Sequence, residues 1–194
     1  MTSKRLITAA MAPAASLANH LSSCKRAWAH ARLASQMKGA LDASVVVLGV
    51  PEVHGTGRMF FGANLYLYRD LYFETQDSGE VHLGDNVVIS RGVHVVAFSR
   101  IEVGDGSMIG EYTSIRDANH RFHGGEPIRS SGHRGKPIRI GRNVWIGRGV
   151  AVLAGVTIHD NAVIGANAVV TRDVPEGRVV AGVPARELST RVAS

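Results

Sequence analysis

From Ile140 onward a β-branched aliphatic residue returns at every sixth position: Ile146, Val152, Ile158, Ile164 and Val170. Two places before each stands another apolar residue, namely Ile138, Val144, Val150, Val156, Ala162 and Ala168. Three places after each stand Asn143, Gly149, Gly155, Asn161, Asn167 and Asp173. Gly, Asn and Asp tolerate positive φ, so each six-residue unit reads as a short strand that ends at a forced corner. Alternate side chains of such a strand point inward. The same register holds upstream in Phe61, Leu67 and Phe73, in Leu83, Ile89 and Val95, and in Val103, Ile109 and Ile115, with corners at Asn64, Asp70, Asn86, Gly92 and Gly106. Between these triplets the spacing lengthens, leaving insertions of 4, 2 and 19 residues, and each falls after a third unit. Three units per turn put every insertion on one edge of a triangular prism. Fifteen positions then make five turns, about 24 Å tall at strand spacing.

A stacked coil needs its open ends covered. Leu17, Leu21, Cys24, Trp28, Ala31, Leu33 or Ala34, Met37 and Leu41 recur at helical spacing, which predicts one amphipathic helix, or two with a break, over residues 14–41. Lys25, Arg26, Arg32 and Lys38 lie mainly off that stripe. The helix is expected to cap the first turns; peripheral contact with a membrane surface or a partner is the other role its basic flank suits. Ala43–Val50 forms the lead-in, Pro51–Gly57 a turn, and Pro175 and Pro184 close the coil. The chain divides into an N-terminal helical cap over 1–44, a coil over 45–186 and a short tail over 187–194.

A length of 194 residues fits one domain with an appendage, and 45 % hydrophobic with 20 % charged residues excludes a disordered or fibrous chain. No apolar run reaches the length of a membrane span. Leu6–Asn19 follows Lys4 and Arg5 like a faint signal peptide, but Pro13 interrupts it. Cys24 is the single cysteine, so no internal disulfide is available, which fits a reducing, cytoplasmic setting; the basic helix is compatible with the inner face of a membrane. Lys and Arg number 22 against 16 Asp and Glu, a balance that suits a polyanionic partner. With 6 % aromatics and no recognition motif, nucleic acid is not the expected partner.

Residues 116–137 hold the longest insertion, and long excursions from a rigid scaffold usually carry function. They include His120, His123 and His133, with Asp117, Asn119, Glu126, Arg116, Arg121, Arg129 and Arg134. An imidazole titrates near neutrality and suits general-base work. No metal is expected. His82 and His94 are two units apart and so lie on different walls, while Glu102 and then Arg139 stack over His82 as an ionic ladder rather than a ligand set. A phosphate-binding loop ending in Gly135-Lys136 fails because Ser130 and Pro137 occupy its required Gly and Ser/Thr positions.

Ile140–Gly147, Gly155–Ile158, Ala162–Ala166, Val169–Pro175 and Ala181–Arg186 together resemble the hexapeptide-repeat acyltransferases, which include galactoside, maltose and exopolysaccharide O-acetyltransferases and xenobiotic acetyltransferases. The resemblance covers about residues 58–186. It implies a left-handed parallel β-helix, a homotrimer, and acetyl-CoA as co-substrate lying along the outer wall between subunits. It implies acetyl transfer to a saccharide hydroxyl, on a polysaccharide precursor or lipid-linked sugar, with xenobiotic O-acetylation, amino-sugar N-acetylation and a non-catalytic scaffold as the other readings. Asp117-Ala118-Asn119-His120 matches the family's histidine motif and makes His120 the expected base, with His123 its rival in the loop. Asp117 either orients that ring or caps the turn. Cys24 lies in the helix, so transfer is expected to be direct, without an acyl-enzyme thioester. Family positions for the donor fall on Arg148, Ala166, Thr171, Arg172 and Arg186, and the family places the thioester at Gly147–Arg148, whose backbone is expected to face the oxyanion. Trp145 is expected to point outward, against pantetheine, a second subunit or the long loop. Ser90 stands where the sugar enzymes carry an acceptor-binding asparagine, and Ser90 and Asn119 are assigned to the acceptor side.

Overall fold

The inward positions of the repeat set the architecture. In the computed structural model, which describes residues 3–122 and 127–188, Ile140, Ile146, Val152, Ile158, Ile164 and Val170 are each at most 1 % exposed. Ile138, Val144, Val150, Val156, Ala162 and Ala168 are buried beside them. The result is a parallel β-helix with a single continuous aliphatic core. His123, Glu126 and the tail beyond residue 188 lie outside the described residues.

Three walls of parallel strands enclose that core. The first stacks Val46–Val47, Tyr66–Leu67, Val88–Ile89, Met108–Ile109, Trp145–Ile146, Val163–Ile164 and Val179–Ala181, and the antiparallel Arg186–Glu187 closes it. The second stacks Glu52–Gly55, Tyr72–Thr75, His94–Ala97, Ser114–Arg116, Ala151–Val152 and Val169–Val170. The third stacks Met59–Phe61, Glu80–Leu83, Arg100–Val103, Ile138–Ile140 and Thr157–Ile158, with Val174 bridged to Ile158. Each of the three insertions joins the second wall to the third, so they share the edge that the spacing predicts.

Two expectations need correction. The coil is longer than five turns: seven parallel strands stack in the first wall. Val47 lies in a strand in front of the expected series and Val180 in one behind it, and both are buried. Ten of the eleven expected corner residues take positive φ, but Asp173 does not. Its Oδ1 instead accepts the Thr157 N–H at 2.7 Å. Tyr112 takes φ +59° without being expected to, and its ring fills the space over Gly92, where a Cβ would meet Tyr112 Cδ1 at 2.5 Å.

The N-terminal helix also differs. It runs from Ser3 to Ala34, through Pro13, and stops short of Met37 and Leu41. Among its described side chains Ala29 and Leu33 are buried, whereas Leu17, Leu21 and Trp28 are more than half exposed. Met37 and Leu41, in the irregular segment that follows, pack on the core. The first turns are therefore covered by the helix's last turns and that segment, not by the length of the helix.

Outside the third wall the expected ladder is present. His82 pairs in register with Glu102, and Glu102 with Arg139, whose Nε donates to Glu102 at 3.0 Å.

Candidate active site

The long excursion is an antiparallel hairpin. The chain leaves the second wall at Arg116, and Ala118–His120 then pairs with His133–Gly135, which sets His120 opposite His133 and Asn119 opposite Arg134. A 3-10 turn at Ile128–Ser130 lies within the excursion. The Lys136 N–H closes the base on the Asp117 carbonyl at 2.7 Å.

Asp117 anchors the hairpin to the coil. It is fully buried, and its two oxygens accept the Phe98 N–H at 2.7 Å and the Ser99 N–H at 2.8 Å. Burial raises its pKa, and the backbone donors act against that rise. Of the two roles expected for Asp117, this geometry matches the cap. Its oxygens hold the corner at 98–99 rather than the ring of His120.

His120 is held by rings instead. Its centroid lies 4.1 Å from that of His133, and His133 stacks on Phe98 at 4.2 Å. Burial, followed by the neighbouring His120 and Arg116, lowers the His133 pKa. His120 itself is exposed on the wall of a cleft of about 570 Å³, lined also by Asn119, Arg121, Arg134, Lys136 and Ala154. Three cations around one exposed imidazole suit a reaction in which negative charge develops on a carbonyl oxygen.

A second hollow, of about 480 Å³, runs along the first wall and gathers Ser90, Trp145, Gly147, Arg148 and Ala166. Trp145 stands outward between Met108 and Val163 and is 58 % exposed, so it is not packed beneath the loop. The groove floor is flat because a Cβ on Gly110 would meet the Gly147 carbonyl carbon at 2.5 Å. Arg148 reaches back over the Tyr112 ring, 6.0 Å from its centroid. The Gly147 N–H donates to the Ile164 carbonyl at 2.8 Å, a rung of the coil, so of the expected oxyanion pair it is not free to serve.

Thr171, Arg172 and Arg186 are exposed at the far end of the coil and line neither hollow. A bond from the Ala185 N–H to the Val169 carbonyl at 2.8 Å brings Arg186 beside the strand leading to Thr171.

Sequence reasoning missed two contributors. His133 was visible as a loop histidine, but antiparallel pairing across the excursion leaves no periodic trace. Thr113 is a buried hydroxyl that donates to the Gly147 carbonyl at 3.1 Å and accepts the Val150 N–H at 3.4 Å, fixing the groove floor. A polar residue at an inward position of the repeat was the available signal.

Residues 137–172 match the family model described as bacterial transferase hexapeptide (six repeats). Over 142 residues the chain is 31 % identical to the putative lipopolysaccharide biosynthesis O-acetyl transferase WbbJ of Escherichia coli (strain K12), covering 69 % of this chain and 72 % of that one. Over 126 residues it is 36 % identical to galactoside O-acetyltransferase of the same strain, covering 64 % of this chain. It spans 60 % of the length of that relative. Among solved structures, a mutant of AntD, an N-acyltransferase from Bacillus cereus in complex with dTDP-4-amino-4,6-dideoxyglucose and coenzyme A, has a TM-score of 0.71 at 18 % identity, covering 82 % of this chain and 87 % of that one. At that identity the likeness is one of fold.

Proposed function

This chain belongs to the bacterial hexapeptide transferase family, and we propose that it moves an acetyl group from acetyl-CoA to a hydroxyl of a saccharide, with His120 as the general base. The observation that carries this reading is the pair of half-sites. An exposed imidazole ringed by Arg121, Arg134 and Lys136 occupies one edge of the prism, and a groove with an outward Trp145 and Arg148 runs along another wall. The printed names of two relatives, a galactoside and a lipopolysaccharide O-acetyl transferase, support a saccharide acceptor. The neighbour of like fold that binds coenzyme A supports the donor.

In this reading a homotrimer closes the site, setting the hairpin edge of one copy against the first wall of the next. The groove suits the donor's slender arm: Met108, Trp145 and Val163 offer apolar surface and Arg148 a charge at its margin. Arg172 and Arg186, with Thr171, are the candidates for its phosphates. Ser90, Asn119 and Ala166 line the space left for the acceptor and the thioester.

His120 removes the acceptor's hydroxyl proton as the new C–O bond forms at the thioester carbonyl. The carbonyl oxygen becomes an oxyanion, for which the Arg148 N–H remains once that of Gly147 is committed to the coil. The C–S bond then breaks, and the departing thiolate takes the proton from the imidazolium. Asp117 is a positioning residue that fixes the hairpin.

The test is release of free thiol from acetyl-CoA in the presence of a panel of saccharides, amino sugars and hydroxylated antibiotics. Saccharide-dependent release with an alkali-labile ester as product is expected. Turnover confined to amide formation on amino sugars, or no turnover with any acceptor, overturns the reading.

A further inference from the structure

We propose that the N-terminal helix docks the protein on an anionic lipid bilayer, with headgroup phosphates taken up in the cleft between that helix and the first two turns of the coil. The argument starts from charge. Ser3–Ala34 contains five Lys and Arg residues and no Asp or Glu. The whole chain has 22 basic and 16 acidic residues. The remaining 17 basic residues nearly cancel the 16 acidic ones, so the helix carries five of the six net positive charges.

The same helix has apolar side chains that remain exposed among the described residues. Ile7, Met11, Leu17, Leu21 and Trp28 are 54–66 % exposed. At helical pitch these five fall within an arc of roughly 120°. No described helix is long and apolar enough to cross a membrane, so insertion is limited to the interface. Lys25 and Arg32 fall within that arc at its C-terminal end, and such side chains keep their charges at headgroup level while their stems lie along apolar surface. Trp28 ends the stripe, and tryptophan favours that same depth.

Trp28 also lines a cleft of about 490 Å³ at the foot of the helix, together with Lys25, Arg26 and Arg69. Asp70, the one carboxylate lining it, is already paired with Arg91 at 2.7 Å. The cleft therefore presents an excess of positive charge next to an indole, which matches a phosphate joined to an apolar chain. A second copy of the helix is the less suitable occupant. Pairing through the stripe would set five cations against five with no acid to offset them.

Docking does not depend on the acyl-transfer reading and is measured by binding alone. Full-length protein is sedimented with vesicles of phosphatidylcholine, alone or with one quarter phosphatidylglycerol, at low and high salt. Binding is expected on the anionic vesicles, weakened by salt, and about tenfold or more weaker on the neutral ones. The double substitutions Lys25→Glu with Arg26→Glu, and Leu17→Glu with Leu21→Glu, are each expected to reduce it about tenfold or more while leaving the circular dichroism spectrum and melting temperature unchanged. Equal binding to both vesicle types, binding to neither, indifference to both substitutions, or a stripe variant that instead breaks up a lipid-free oligomer overturns the proposal.

Discussion

His120 and His133 face each other across the two strands of an antiparallel hairpin with ring centroids 4.1 Å apart, and the second ring rests on Phe98. This stack, rather than a carboxylate, aims His120 into its cleft. Burial, His120 and Arg116 hold the His133 pKa below its ordinary 6.5. A histidine pKa lowered by folding contributes stability that is complete above about 6.5 and is lost as pH falls through that value toward the folded one. The hairpin should therefore loosen on mild acidification. Imidazole titration by NMR should place His133 below 6.5, and His120→Gln, which removes a like charge, should raise it. A midpoint at or above 6.5 in the parent protein contradicts this.

Asp117→Asn should damage the site through the backbone. One carboxylate oxygen becomes an NH₂ group that faces the N–H of Phe98 or Ser99, leaving a buried donor without an acceptor. The expected loss is roughly 1–3 kcal/mol, read by denaturant melts, with a fall in kcat/KM as the hairpin shifts. Unchanged stability with lost activity would instead indicate that Asp117 acts on the ring directly.

Thr113→Val keeps the β-branched shape and deletes the hydroxyl, so the Gly147 carbonyl and the Val150 N–H both lose a partner. A loss of about 1–2 kcal/mol is expected, with a larger rise in KM for acetyl-CoA than fall in kcat. Thr113→Ser should restore both. Ser107, one unit earlier, makes the same two bonds to Gly141 and Val144, so Ser107→Ala should destabilise without touching KM.

On the third wall, hydrogen bonds from Arg58 and His82 pull the Glu80 carboxyl down to about 2. A carboxyl pKa lowered by folding adds stability above the unfolded value of 4.5, and that stability disappears only as pH falls through about 2. The melting temperature of the parent should exceed that of Glu80→Gln from pH 5 to 7, with the margin shrinking toward zero near pH 2. A margin independent of pH would mean that the Arg58, His82 and Arg100 contacts with Glu80 add nothing.

The coil was legible in the chain because each corner demands a special residue and each wall hides every second one. Asn64, Asn86 and Asn143 mark such corners, each with positive φ. The outermost turns were not legible. Val47 sits in a two-residue strand, and after Val170 the six-residue rhythm shortens to four at Val174. The helix was misjudged at Pro13, which alanines on both sides carry through. For the candidate site, the outward direction of Trp145 follows from register, while Ser90, Gly147, Arg148 and Ala166 were implied by the family resemblance; all five come together in one hollow. The hairpin does not follow from register. Its pairing rests on Asp117 and on one ring stack, and sequence alone left Asp117 between two roles.

The most direct test is acetyl transfer by His120→Ala against the parent protein, with acetyl-CoA binding measured in the same preparations. The account predicts a fall in turnover of about 10²- to 10⁴-fold with donor binding and assembly unchanged. Turnover within twofold of the parent would contradict it.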